Sequence, residues 1–218
     1  MKYLRPGAWL LASVACLAGF FELAEDFAYS PKIHAFDHAV TSAIISLRSA
    51  WLNPVMTFVT VLGGTIVVSA ASAAVVAIAS LRGRPRAAVY TLAVLVAGVA
   101  FSALGKSIFD RPRPPVSGAL IALPTSYSFP SGHTMGSLCL AWVVCYLVLT
   151  ATSASRSTRS AVTVAAVVYA LVVAFSRVYL GVHYPSDVLA SWLLGAGWIA
   201  LVTTVYELVT GRKLAEAG

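Results

Sequence analysis

Charge is scarce in this sequence. Only 11% of its 218 residues are Asp, Glu, Lys or Arg, whereas a soluble domain carries roughly 25%, so an ordinary water-facing globule is a poor description of it. Cysteine is scarce as well. Cys16, Cys139 and Cys145 all fall inside apolar segments, and their odd number and lack of CxxC spacing argue against a disulfide framework or a zinc site. A polybasic arm is also missing: 15 basic against 8 acidic residues give a net charge of +7, but they lie in small groups between apolar runs, which argues against nucleic acid as a partner. There is no internal repeat, no low-complexity tract and no shift in composition, so residues 1–218 read as a single domain.

Apolar residues dominate instead, at 59% of the chain with a mean hydropathy of +0.86. Six apolar runs approach the roughly 20 residues that cross a bilayer core, at about 7–24, 54–81, 88–106, 133–152, 160–178 and 186–209. The expected fold is therefore all-α, a six-transmembrane-helix bundle. The first run, with Lys2 and Arg5 ahead of it and Ser13-Val14-Ala15-Cys16 within it, also has the form of a signal peptide. Five further spans follow, so an uncleaved first span is the preferred reading. Between the first two spans, Ile33, Phe36, Val40, Ile44, Leu47 and Trp51 recur at three- and four-residue intervals, with Lys32, His34, Asp37 and His38 supplying polarity. This pattern predicts a short amphipathic helix lying in the interface. His34 and His38 have the i,i+4 spacing of a metal pair, yet no further ligand is near in sequence, and a solvated face explains them better.

Six spans place Lys2, Arg5, Arg82, Arg84, Arg86, Arg156, Arg159, Arg212 and Lys213 on one side. The positive-inside rule makes that side, with both termini, cytoplasmic. Lys32, Arg48, Lys106, Arg111, Arg113 and Arg177 fall on the outer side, and four of these six belong to two short regions whose chemistry explains them better than topology does.

The first region is Ser176 to Asp187, SRVYLGVHYPSD. Tyr184-Pro185-Ser186-Asp187 reads as a helix start, with proline at the first position and an acid in the first turn. Asp187 either caps that helix or meets the ring of His183, fixing its tautomer and leaving the other nitrogen as a nucleophile. Arg177 either snorkels or faces the same point. The second region joins the third and fourth spans, where Pro112, Pro114, Pro115, Pro124 and Pro130 forbid a continuous helix. It opens on Lys106 and Arg113-Pro114 and closes on Pro130-Ser131-Gly132-His133. Ser131 is a candidate N-cap, and the amides after it form an end that attracts phosphate, with glycine allowing close approach. Arg111 either adds charge for a second phosphate or pairs with Asp110.

Taken together, Lys106 followed after six residues by Arg113-Pro114, then Pro130-Ser131-Gly132-His133, then Ser176-Arg177 with His183 and Asp187, resemble the three-part signature of the type 2 phosphatidic acid phosphatase and haloperoxidase superfamily. The six-span layout resembles its membrane-embedded lipid phosphatases. The resemblance implies that His183 attacks phosphorus to form a phosphohistidine, that Asp187 orients it, and that His133 protonates the leaving oxygen and later activates water. It implies that Lys106, Arg113, Arg177, Ser131 and Gly132 hold the phosphoryl oxygens, with no metal and no cofactor. The implied substrates are lipid phosphates or diphosphates such as undecaprenyl diphosphate, phosphatidylglycerol phosphate or phosphatidate, met at the outer face. The same residues would serve a lipid phosphotransferase, and a non-catalytic lipid-phosphate transporter or scaffold is the alternative from another class. Its need for a polar path sits badly with the apolar second, fourth and sixth spans.

Overall fold

A computed structural model of the protein describes residues 6–149 and 154–211. Lys2, Arg5, Arg212 and Lys213, counted toward topology above, lie outside the described residues, as does the expected end of the fourth span. Among the described residues there are helices and no strand: α1 (Pro6–Tyr29), α2 (Pro31–Ile45), α3 (Leu52–Leu62), α4 (Thr65–Leu81), α5 (Pro85–Phe109), α6 (Gly132–Leu149), α7 (Arg156–Tyr179) and α8 (Pro185–Thr210), with one 3-10 turn at Val116–Gly118. Helices α1, α5, α6, α7 and α8 are each long and apolar enough to cross a membrane.

The second expected span is not one straight helix. α3 and α4 meet at a 46° bend, and the pair counts as a sixth span only if the two are taken together. The bend falls at Gly63-Gly64, where packing leaves no room for a side chain: a Cβ on Gly63 would lie 2.3 Å from Val173 Cγ1 of α7. Hydropathy is unchanged across the break, which is why the run looks continuous in sequence.

Small residues bring the helices together, as expected where lipid on all sides removes most of the hydrophobic drive for association. A Cβ on Gly195 of α8 would come within 2.8 Å of Leu138, and one on Gly197 within 2.9 Å of Leu17. Ser13 Oγ adds a hydrogen bond to the Gly197 carbonyl at 2.8 Å, fastening α1 to α8. Large apolar side chains such as Ile66 and Leu81 point outward and stay exposed, which suits a lipid-facing surface. The three cysteines are free thiols.

A helix is present there as α2 but ends at Ile45, short of Leu47 and Trp51, and His34 and His38 are exposed on it. Asp37 departs from the expected pattern. It is 3% exposed, buried against the start of α8 rather than contributing to a solvated face, because Arg111 and Ser186 supply partners there.

The arginines at 82, 84 and 86 flank the α4–α5 connection, and those at 156 and 159 begin α7. The opposite ends of α5, α6, α7 and α8 carry the residues singled out for chemistry.

Candidate active site

Proline-rich residues 110–131 fold back over the bundle, held by bonds within the loop and by others to the α7–α8 connection. Leu120 N–H donates to the Leu180 carbonyl at 2.9 Å and Ser128 N–H to the Arg111 carbonyl at 2.8 Å. Arg48, an outward-side cation of the sequence, donates to the carbonyls of Tyr179 and Gly118 and so ties the α2–α3 connection to the same loops. Gly181 turns the chain with φ +74°, and a Cβ there would lie 2.3 Å from the Gly118 carbonyl oxygen. Only glycine meets both demands.

This packing produces a cavity of about 320 Å³ lined by His133, His183, Lys106, Arg113, Arg177 and Gly132, with Gly63, Gly98 and Gly136 among the residues of its walls. Six of the eight residues expected to carry chemistry thus converge. Ser131 and Asp187 sit behind the wall, both 0% exposed. Ser131 N–H donates to Ser191 Oγ at 2.7 Å, and its hydroxyl accepts from Thr134 Oγ1 at 3.0 Å. Ser131 is not among the residues that line the cavity. α6 begins at Gly132, so the first amides of the helix point out along its axis. A Cβ on Gly132 would press to 2.9 Å on Ser102 Oγ.

The His183 ring is 2% exposed and contacted on both nitrogens. Nδ1 lies 3.3 Å from Asp187 Oδ2 and 3.3 Å from Ser128 Oγ. Nε2 lies 3.1 Å from Arg113 Nη1. A guanidinium can only donate, so Nε2 is the acceptor and the network assigns the ring proton to Nδ1, facing the carboxylate. Burial, with the positive charge of Arg177 and Arg113, lowers the His183 pKa to about 3 against the opposing pull of Asp187. The ring is thus neutral at neutral pH, with its lone pair directed toward the cationic side.

Those cations are not committed to acids: among the described residues the ion pairs are Arg111 with Asp37, Arg111 with Asp187, and His183 with Asp187, and none involves Lys106, Arg113 or Arg177. Lys106 Nζ donates to the Tyr127 carbonyl at 2.5 Å. Arg113 donates to the carbonyls of Ser126 and Val182 at 2.8 and 2.7 Å. Arg177 is 2% exposed, bonds to Thr60 Oγ1 through Nη1, and its Nε has no hydrogen-bond partner among the described residues. Three half-buried or buried cations around one cavity, with no ion-pair partner among the described residues, suit a polyanionic group.

Asp187 is more heavily held than the sequence suggested. Oδ2 accepts from Ser128 Oγ at 2.5 Å and from Tyr184 N–H at 2.9 Å, so the carboxylate both caps α8 and contacts the His183 ring. Oδ1 accepts from Arg111 Nη1 at 2.6 Å. Arg111 therefore neither lines the cavity nor joins with Asp110 as an ion pair. It spans from Asp187 to Asp37, whose Oδ2 it reaches through Nη2 at 2.7 Å. Ser128, Thr60 and Asp37 were not singled out for chemistry from the sequence. Asp37 had a visible signal, since it sits four residues after Ile33 and three before Val40, on the apolar stripe of its helix. Ser128 and Thr60 had none.

A family profile for the PAP2 superfamily matches residues 86–210. The chain is 30% identical over 176 residues to phosphatidylglycerophosphatase B of Bacillus subtilis, covering 81% of this chain and 86% of that one. It is 37% identical over 93 residues to an undecaprenyl-diphosphatase of Sulfolobus acidocaldarius, covering 43% and 40%. Among solved structures, it is similar to the transmembrane PAP2 type phosphatidylglycerolphosphate phosphatase of Bacillus subtilis, with a TM-score of 0.81 and 29% identity over 90% of this chain and 96% of that one. Aquifex aeolicus LpxE shares the fold, with a TM-score of 0.57 and 22% identity over 75% and 93%.

Proposed function

Because the chain belongs to the PAP2 superfamily, we propose that it is a membrane lipid phosphatase that works through His183 and His133. The observation that carries this reading is that both imidazoles line one cavity together with three cations that have no acidic ion-pair partners among the described residues.

The steps follow from the atoms available. Lys106, Arg113 and Arg177, with the first amides of α6, take the non-bridging oxygens of the phosphoryl group. In doing so the phosphoryl group draws Arg113 from His183 Nε2, freeing the lone pair where it is needed. Nε2 attacks phosphorus, the bond to the lipid oxygen breaks, and His133 gives that oxygen its proton. The His183 ring then carries positive charge, which Asp187 stabilises across Nδ1–H. Water attacks next, His133 takes its proton, the P–N bond breaks and inorganic phosphate leaves. Phosphoryl transfer rests mainly on positioning and charge, and three side-chain cations supply the charge here. The reaction is metal-independent in this account.

The cavity lies at the end of the bundle remote from Arg82, Arg84, Arg86, Arg156 and Arg159. The positive-inside rule supports an extracytoplasmic site in a multi-pass protein of the cell membrane. Substrates are lipid phosphate monoesters or diphosphates; the relatives recommend phosphatidylglycerol phosphate and undecaprenyl diphosphate, with phosphatidate as a third candidate. Purified protein, assayed with chelator against these three lipids, is expected to release phosphate from at least one. No release from any of them would overturn the reading, and so would full activity in His183→Ala.

A further inference from the structure

The chain of contacts behind His183 does not stop at Asp187. Arg111 is 6% exposed and Asp37 3%, and the guanidinium lies between the two carboxylates at 2.6 and 2.7 Å. Ser186 closes the ring: its hydroxyl accepts from Arg111 Nη1 at 2.7 Å and donates to Asp37 Oδ2 at 2.6 Å, and its amide donates to Asp37 Oδ1 at 2.9 Å. Asp37 therefore takes an amide at the start of α8 that its own helix cannot satisfy.

Arg111 also acts on both oxygens of Asp187. It binds Oδ1 directly, and its carbonyl accepts from the amide of Ser128, whose hydroxyl donates to Oδ2. The guanidinium carbon lies 4.4 Å from the centre of the Tyr184 ring, which fixes its plane. A carboxylate gripped at both oxygens cannot rotate away from the imidazole, and partners of this kind are what hold a working ring in register.

We propose that Asp37 and Arg111 are positioning residues for phosphoryl transfer, through which the amphipathic helix α2 holds the Asp187 carboxylate against His183. This rests on the reading of His183 as phosphoryl acceptor. The surface helix is then part of the reaction apparatus, although none of its residues lines the phosphate cavity.

A merely structural latch would behave differently. Removing it would lower the yield of folded protein but leave the turnover of folded molecules alone. The test is steady-state kinetics, normalised to monodisperse protein, on Asp37→Asn, Arg111→Lys, their double variant, Lys32→Ala and His183→Ala, with inorganic phosphate as competing ligand. Asp37→Asn and Arg111→Lys are expected to lose about 10- to 100-fold in kcat, with KM and phosphate inhibition within about twofold because Lys106, Arg113 and Arg177 are untouched. Lysine keeps the charge but lacks the fork that spans two carboxylates. The double variant is expected to be no worse than Arg111→Lys, since both changes break one chain. Lys32→Ala, on the exposed side of α2, is expected to match the parent. Should Asp37→Asn fail to fold, Asp37→Glu takes its place, with partial kcat and unchanged KM expected. Parental kcat in the Asp37 and Arg111 variants, with His183→Ala inactive, overturns this inference alone; an active His183→Ala removes the reading beneath it.

Discussion

Arg113 Nη1 lies 3.1 Å from His183 Nε2, so one guanidinium is both a ligand for the phosphoryl group and the cover of the proposed nucleophile. Arg113→Ala is expected to uncover the ring but lose the cation, with a net fall in kcat/KM of about 10²- to 10³-fold, the usual effect of removing one donor to developing charge. Arg113→Lys is expected to recover little of this, because one ammonium cannot reach Ser126, Val182 and the ring together. Initial-rate assays of phosphate release check both.

Ser128 donates to Asp187 Oδ2 at 2.5 Å in a site closed to solvent. Ser128→Ala leaves that oxygen with the Tyr184 amide and the imidazole. A hydrogen bond to a charged group contributes roughly 1.5–3 kcal/mol, so a loss of stability of about that size is expected, with reduced kcat. Parental stability and rate in Ser128→Ala would show the contact to be dispensable.

The turn at Gly181 carries its own prediction. A methyl group there meets the Gly118 carbonyl at 2.3 Å and must adopt φ +74°. Gly181→Ala is expected to destabilise by more than about 1 kcal/mol and to shift His183, two residues on. Thermal unfolding of the purified variant reads the first effect and phosphate release the second.

Stability should depend on pH through His183. Its pKa is lowered by burial from 6.5 to about 3. Between those values the unfolded chain binds a proton that the folded chain refuses, so the contribution of the neutral buried ring is complete above about pH 6.5 and declines as pH falls toward 3. The unfolding temperature is expected to drop more between about pH 7 and pH 5 for the parent than for His183→Gln. An equal drop in the two proteins would contradict this assignment.

Much of the site could be read from the chain because its chemistry is written in short strings. Lys106 and Arg113 stand together where one loop opens, Ser131, Gly132 and His133 are consecutive where it closes, and Arg177, His183 and Asp187 lie in or beside one turn. Each string lies at the end of an apolar run, so topology alone carries all three to the same end of the bundle. The long helices were visible for a similar reason, since a mean over some 20 residues tolerates errors at either end. The bend at Gly63-Gly64 was not, because hydropathy records what a segment is dissolved in and not where its axis points. Asp37 and Arg111 are 74 positions apart, and no local spacing links them; the acid looked like one more polar residue on an amphipathic helix. Its place on the stripe with Ile33 and Val40 was the one clue. Ser131 shows the converse: its neighbours Gly132 and His133 line the cavity, but Ser131 does not.

The most direct test of the central claim is a rapid-quench single turnover with a lipid phosphate labelled in its phosphoryl group, followed by mapping of the label on the protein. Transient, acid-labile and alkali-stable label is expected on the imidazole of His183, decaying as free phosphate appears, with neither label nor phosphate in His183→Ala. Phosphate release by His183→Ala at the parental rate would contradict it.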